Sequence, residues 1–381
     1  MEKCKLGDIC EIVSGSTPKT TIEEYWDGDI KWITPAELNE NVYIINDSVR
    51  KITKLAVEKT GLSSFPEGTV ILSTRAPIGK VAIAGCEMYC NQGFKNLICS
   101  EKIFNKYLYW FLKGNTMFLN SLGRGATFKE ISKAIVSEIE INVPEIEEQH
   151  EIVKILEKVN TIIRFRKQEL SVLDTLVKAR FVEMFGDPIL NHKGYKKETI
   201  EKHIDLLSGY PFKSEKYVEK GVNICGGLII MPQKIKWEEC VHWASTDGVE
   251  DYLLKENDIV MALDRPWISE GFKIAKIDAE HLPALLIQRT ARIRATDMNQ
   301  DYLYYCFING GFDTHSNVTG SLVPHISAKD IRSFEVMIPP IELQNQFADF
   351  VKQVDKSKVK VQKALDETQK LFDSLMQQYF G

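Results

Sequence analysis

The 381 residues are enough for two domains with their own cores, and a content of 44% hydrophobic and 27% charged residues is that of an ordinary globular protein. No apolar run reaches the roughly 18 residues that cross a bilayer, and residues 1–20 carry charges where a secretion signal is apolar, so a cytosolic protein is expected. Net charge is −5, with 17 Lys+Arg against 17 Asp+Glu in residues 1–144 and 18 against 22 in residues 187–339, which excludes a generally basic nucleic-acid binder and means that any such ligand must meet positive charge focused on one face or supplied in part by a partner.

Residues 1–144 mix short β-type runs with turns. The runs include Lys31-Trp32-Ile33, Thr69-Val70-Ile71-Leu72 and Lys80-Val81-Ala82-Ile83-Ala84, punctuated by Gly and Pro. Residues 145–186 change character. They hold no Gly or Pro before Gly186, and Ile152, Leu156, Val159, Ile163, Leu170, Leu173, Val177 and Met184 recur at alternating steps of four and three, interrupted by Arg166 and Arg180. That period predicts one long amphipathic helix. Gly186-Asp187-Pro188 ends it and opens a second globular segment, 187–339. Residues 340–381 then give a second helix with the stripe Phe347, Val351, Val354, Val361, Leu365, Phe372, Leu375 and Tyr379, interrupted by Lys358 and Thr368. Pro144 and Pro339-Pro340 mark the two helix starts. Each helix is roughly 60 Å long at 1.5 Å per residue. A helix of that length overshoots a domain of this size, so the two are expected to pair as an antiparallel coiled coil, with the globular units at opposite ends.

The second half of the chain repeats the first. Glu140-Ile141, Val143-Pro144, Ile146-Glu147, Gln149 and Phe185-Gly186 recur as Glu335-Val336, Ile338-Pro339, Ile341-Glu342, Gln344 and Phe380-Gly381, each 195 positions on. The globular segments repeat more weakly. Ser14-Gly15 answers Ser208-Gly209, Arg75 answers Arg265, and Tyr107-Leu108-Tyr109 answers Tyr302-Leu303-Tyr304. The fold class that follows is α+β, with two α/β domains related by a pseudo-twofold and separated by the paired helices. A framework that agrees while its loops diverge suits a target with two different halves.

Several stretches, in this order, resemble the DNA-specificity subunit of type I restriction–modification systems. They are Leu6-Gly7-Asp8-Ile9 with Ser14-Gly15-Ser16-Thr17-Pro18, the run Gly68 to Lys80 containing Arg75-Ala76-Pro77-Ile78-Gly79, then Asn91-Gln92-Gly93-Phe94, and the helix start Val143-Pro144-x-Ile146-Glu147-x-Gln149. The resemblance covers the whole chain, duplication included. It implies two target-recognition domains, 1–144 and 187–339, each reading half of a split site in double-stranded DNA. It implies spacer helices, 145–186 and 340–381, that separate the domains and carry modification (methyltransferase) subunits, two in number, with restriction (translocase and nuclease) subunits joining that core. S-adenosylmethionine, ATP and Mg are then expected on the partners, with no cofactor and no metal on this chain, in a bacterial or archaeal cytoplasm at the nucleoid. The second domain departs from the pattern. It has Ser208-Gly209-Tyr210-Pro211-Phe212-Lys213, then Arg265-Pro266-Trp267-Ile268, and Gln288-Arg289-Thr290 where the first has Asn91-Gln92-Gly93.

DNA reading needs cations for phosphates and planar hydrogen-bonding groups for base edges. In the first domain Thr17 and Lys19, Arg75 and Lys80 around a Pro/Gly turn, Gln92 and Lys95 in a second turn, and Arg124, Thr127 and Lys129 in the loop Gly123–Lys129 are the candidates. In the second they are Lys213, Arg265, Gln288, Arg289, His315, Asn317 and His325, with Trp267 as an exposed aromatic in a turn. Each also reads as a solvated surface group. Arg292 and Arg294 alternate along a strand and face either a sheet surface or DNA.

Motifs for chemistry are missing. The chain has no Gly-x4-Gly-Lys-Ser/Thr phosphate loop, no Asn/Asp-Pro-Pro-Tyr/Phe element of methyltransferases and no Gly-rich dinucleotide loop, and Asp29-Ile30-Lys31 lacks the acidic partner of a nuclease site. The eight cysteines are spread out, and Cys86-x3-Cys90 with Cys99 lacks zinc spacing, so reduced, mostly buried thiols are expected. With the resemblance, these absences imply a non-catalytic DNA reader. The alternatives are a methyltransferase or nuclease with an unrecognised active site, and a scaffold that binds only proteins. Arg75→Ala is expected to lose about 1–3 kcal/mol of base discrimination, confined to one half-site when methylated sites are mapped. A loss spread evenly over all sequences would assign Arg75 to phosphate instead.

Overall fold

The computed structural model describes residues 2–39, 42–75, 77–125, 129–316 and 324–381. The chain divides into two compact units, Met1–Lys167 with Lys363–Gly381, and Gln168–Gln362.

In the first unit Cys10–Ser14, Phe94–Cys99, Val70–Ser73, Val81–Ala84 and Ile44–Ile45 lie side by side in that order. All neighbours are antiparallel except the last pair. Val70–Ser73 and Val81–Ala84 are buried at every position, so both sheet faces are covered. Strand alternation divides the work. Val70, Leu72, Val81, Ile83 and Leu97 face a core that holds Tyr107, Leu108 and Phe111 of the helix Asn105–Gly114. Ile71, Ala82 and Ala84 face a second core with Ile33, Phe65 and Phe94. A three-stranded sheet, Arg50–Ile52, Trp26–Ile33 and Tyr89–Cys90, and a ribbon pairing Glu2–Lys5 with Glu140–Val143 complete the unit.

The second unit repeats this plan. Ile204–Ser208, Thr290–Ala295, Ile259–Ala262 and Ile274–Lys276 form an antiparallel sheet in that order. Ile259, Met261, Ile274 and Ile293 face the core containing Tyr302 and Leu303 of the helix Gln300–Asn309, while Val260, Ala262 and Ala275 face the opposite one. The three-stranded sheet Val241–Trp243, Val222–Cys225, Ala284–Leu286 again ends in a parallel pair.

The repeated residues hold repeated bonds. Tyr107 donates its hydroxyl to the Asn142 carbonyl at 2.9 Å and Tyr302 to the Met337 carbonyl at 2.8 Å. Buried Gln149 accepts from Phe104 N–H at 2.8 Å and donates to the Pro144 carbonyl at 2.9 Å, and buried Gln344 does the same with Asn299 N–H (2.9 Å) and the Pro339 carbonyl (2.9 Å). Each glutamine thereby locks the start of a long helix to the loop before the domain helix, which is why it recurs with the proline five residues upstream.

The long helices are Ile146–Phe185 and Ile341–Phe380, 40 residues each. Every stripe position, interruptions included, is buried or half-buried. In the second unit Asp174 pairs with Lys358 at 2.5 Å, Arg180 lies 5.7 Å over the Phe350 ring, and Phe185 lies 5.5 Å from Phe347. Partners descend as the first helix ascends, so the pairing is antiparallel. In the first unit Arg166 donates to the Ala364 carbonyl and the Thr368 hydroxyl. Three of the four breaks in the stripes thus find polar partners on the facing helix, Arg166 with Thr368 and Lys358 with Asp174, while Arg180 pairs with Glu183 of its own helix at 2.8 Å.

One expectation is corrected. The overshoot expected from helix length is only partial: Ile152, Val153 and Leu156 join the first unit's core, and Phe347, Val351 and Val354 join the second's. The second half of each helix does leave. Phe372, Leu375, Met376, Tyr379 and Phe380 pack on the first unit's core, and Val177, Phe181, Met184 and Phe185 are within the second's. Among the described residues no helix is long and apolar enough to cross a membrane. All eight cysteines are free, with Cys10, Cys90, Cys225 and Cys306 buried. Phe181 is fully buried, 5.5 Å from Phe347 and 5.7 Å from Tyr302, so Phe181→Ala is expected to cost about 3–5 kcal/mol. Denaturant unfolding measures it, and a cost below about 1 kcal/mol would remove the helix end from the core.

Candidate nucleic-acid interface

In the first unit, Ser14, Ser73 and Phe94 bring three strands to one end of the sheet, with Ser73 opposite Phe94 and Ser14 opposite Lys95. The turns leaving that end carry the predicted residues. Ser73 closes the Arg75–Lys80 turn: its hydroxyl donates to the Pro77 carbonyl at 2.7 Å and accepts from Lys80 N–H at 2.9 Å. Gly79, at φ +92°, makes the bend, and an added Cβ would sit 2.8 Å from the Thr116 methyl. Thr74 N–H donates to the Gly93 carbonyl at 2.7 Å and Ile131 N–H to the Thr74 carbonyl at 3.0 Å, tying the neighbouring loops to this turn. Thr17 donates its hydroxyl to the Gln92 side chain. Arg75 and Arg124 each bridge Glu130 through the backbone.

The structure therefore gathers Thr17, Arg75, Gln92 and Arg124 in one loop cluster. Gln92 and Arg124 are exposed, and Thr17 and Arg75 half-exposed. Lys80 stands at the far side of the turn and donates its ammonium to the Pro35 carbonyl at 2.9 Å. Lys19 is exposed, on the segment whose carbonyl accepts from Trp26 Nε1 at 3.4 Å. Lys129 is exposed beside the cluster, and Thr127 lies outside the described residues. Lys95 is a correction: it sits in the strand Phe94–Cys99, not a turn, and is buried 3.7 Å from Glu130, because the strand begins one residue before it.

The second unit builds its cluster from the equivalent loops. Gly209 crosses the sheet end as Gly15 does. A Cβ on either would fall 1.9 Å from a carbonyl oxygen, that of Ile287 or Asn91, which is why Ser-Gly recurs there. Arg265 and Arg289 both adopt positive φ, +46° and +62°. Leu263 N–H donates to the Arg289 carbonyl at 2.9 Å and Arg265 N–H to the Pro324 carbonyl at 2.7 Å, and Asp264 bridges His325. Asp264 also holds the Arg289 guanidinium at 2.5 Å while that side chain stays 71% exposed. Arg265, Gln288, Arg289 and His325 are thus brought together and exposed. Lys213 is exposed on the loop after Phe212. His315 is turned toward the Asp330 carbonyl and Ser333, each 3.2 Å from Nε2. Asn317 lies outside the described residues.

Trp267 is a second correction. It begins the short strand Trp267–Ile268, is half-buried, and stacks on Phe272 with ring centroids 4.8 Å apart. The aromatic partner across the hairpin covers the face that a turn would have exposed. Arg292 and Arg294 prove to be internal ties: Arg292, buried in the sheet, pairs with Asp205, and Arg294 pairs with Asp258 at 2.5 and 2.7 Å. Asp264 and Lys273, which help to shape the second cluster, carried no signal in the sequence. Lys273 matches Lys80 only through the strands, since its turn is longer. Among the described residues no group of three or more His, Cys, Asp or Glu could hold a metal ion.

Comparison with known proteins bears on the family and the fold. A family model, the type I restriction modification DNA specificity domain, matches residues 1–175 and 209–368. The type I restriction enzyme MjaIX specificity subunit of Methanocaldococcus jannaschii is 30% identical over 98% of this chain and 90% of its own length. The MjaVIII specificity subunit of the same organism is 26% identical over 93% of this chain and 86% of its own. The crystal structure of a type I restriction–modification S subunit from M. genitalium shares the fold at a TM-score of 0.58 and 15% identity, covering 100% of this chain and 96% of that one.

Arg292 is a structural cation, so Arg292→Met should leave DNA affinity and its salt dependence unchanged while altering stability, because it strands Asp205. Calorimetry beside a DNA titration measures both, and a loss of affinity at unchanged stability would move Arg292 into the interface.

Proposed function

The chain belongs to the type I restriction–modification DNA specificity family, and on that premise we propose that each of its units reads one half of a bipartite site in duplex DNA while the shared helices set the spacing. The observation that carries this reading is the loop cluster built twice on one framework. Both clusters leave the same sheet end and share two braces, Thr74 N–H to the Gly93 carbonyl and Ile131 N–H to the Thr74 carbonyl in one, Leu263 N–H to the Arg289 carbonyl and Ile326 N–H to the Leu263 carbonyl in the other. Each presents exposed arginine with glutamine, the side chains that form forked hydrogen bonds with guanine and adenine edges. The loops differ in sequence, so the two half-sites differ.

In this role the chain does no chemistry. It delivers modification subunits, two of them docking along the helices, and the restriction subunits join that assembly. S-adenosylmethionine, ATP and Mg belong to those partners, in a prokaryotic cytoplasm next to the nucleoid. An acidic chain suits this work because its cations are local, and the partners supply further positive charge.

Sequencing methylated bases in cells that hold the chain and its modification partner tests the reading directly. A two-part motif with a fixed gap is expected, and a continuous motif or none would sink it. Inserting one or two helical turns into both long helices should lengthen the gap and leave both half-sites unchanged. An unchanged gap would reject the helices as the ruler.

A further inference from the structure

A cavity of about 500 Å³ opens in the second unit between the Gly226-Gly227-Leu228 loop, the Asp264-Arg265 turn and Gln288-Arg289. Lys273 forms part of its wall and is only 6% exposed. Its ammonium donates to the Gly227 carbonyl, and among the described residues no carboxylate lies within 4.0 Å of it. Burial, and secondarily the Arg265 cation, holds its pKa below the usual lysine range, with Asp264 opposing. Asp264 is already engaged by Arg289. The cavity wall carries three cations, Arg265, Lys273 and Arg289, against two carboxylates, Asp264 and Glu239, so one positive charge is in surplus, and the buried ammonium has no carboxylate in direct contact. A buried charge in that state is costly until an anion reaches it.

The first unit holds a lysine in the same place. Lys80 directly precedes the strand Val81–Ala84 and Lys273 the strand Ile274–Lys276. The Lys80 carbonyl accepts from Ser73 N–H at 2.8 Å and the Lys273 carbonyl from Ala262 N–H at 3.0 Å, each from the end of the antiparallel partner strand. Each ammonium donates to a loop carbonyl, Pro35 in one unit and Gly227 in the other. The turns before them differ in length and sequence, yet both return a lysine to this spot.

We propose that Lys273, together with Arg265, seats one backbone phosphodiester of the duplex read by the second unit. This rests on the DNA-reading function above and adds a positioning contact to it. The seat fixes the backbone while Gln288 and Arg289, at the same cavity, face the bases. A lysine serves here as a compact point charge.

The test uses the full chain assembled with its modification partner, and duplex DNA carrying the methylated motif or a scrambled one. Lys273→Met should weaken binding to both duplexes by a similar factor and lower the slope of log affinity against log salt by about one. Lys273→Arg should restore the slope. A wild-type slope in Lys273→Met, with only the melting temperature lowered, would make Lys273 a tether for the Gly226–Leu228 loop and overturn the proposal. Leu228→Glu, at a position 87% exposed on the rim, tests the same seat without touching the buried side chain. It should weaken binding at least tenfold, and unchanged affinity also overturns the proposal. If the wild-type assembly does not distinguish the two duplexes, the DNA-reading function itself fails, a result separate from a normal wild type with a silent Lys273→Met.

Discussion

Each unit is completed by the end of a helix that belongs to the other repeat. Without Val177, Phe181, Met184 and Phe185 the second core would expose Tyr302 and Phe347, and without Phe372 to Phe380 the first would expose Tyr107 and Trp110. Burying aromatic side chains contributes about 1.5–3 kcal/mol apiece, so neither domain can dispense with the exchanged helix end. Within the second unit the two helices run antiparallel, with Asp174 beside Lys358, Arg180 over Phe350 and Phe185 beside Phe347. Gln149 and Gln344 then fix where each helix starts. The polar pairs Arg166 with Thr368 and Asp174 with Lys358 set the register along the seam, in the manner of polar residues at coiled-coil core positions.

With the helices fixed, the sheets place the loops. The central strands are buried on both faces, one toward the domain helix and one toward the smaller sheet, so they tolerate little variation in shape. Their turns emerge at one end into solvent and are free to differ. Arg75, Gln92 and Arg124 in one unit and Arg265, Gln288 and Arg289 in the other occupy that end. Glycines 15 and 209 let the chain cross it at backbone contact distance.

The arginines of this acidic chain serve two different ends. Arg292 and Arg294 are spent inside the sheet on Asp205 and Asp258, whereas Arg289 is oriented by Asp264 yet remains exposed. An ion pair that leaves the guanidinium in solvent orients its fork at little electrostatic cost, while one within the sheet serves packing. Charge counts along the chain do not distinguish these cases.

Period and repetition determined much of this protein on their own. The heptad-like stripes marked both long helices and their polar interruptions, and the constant offset of 195 residues marked two copies of one plan. Both signals are local and linear: a helix face repeats every 3.6 residues, and a duplication preserves spacing. Only the tertiary structure decided that each helix is shared between two cores, that Trp267 is covered by Phe272, and that Lys95 is buried beside Glu130. It alone decided that Lys273 stands where Lys80 does. Those outcomes depend on which residues distant in the chain come to lie opposite one another, and no period or spacing carries that information.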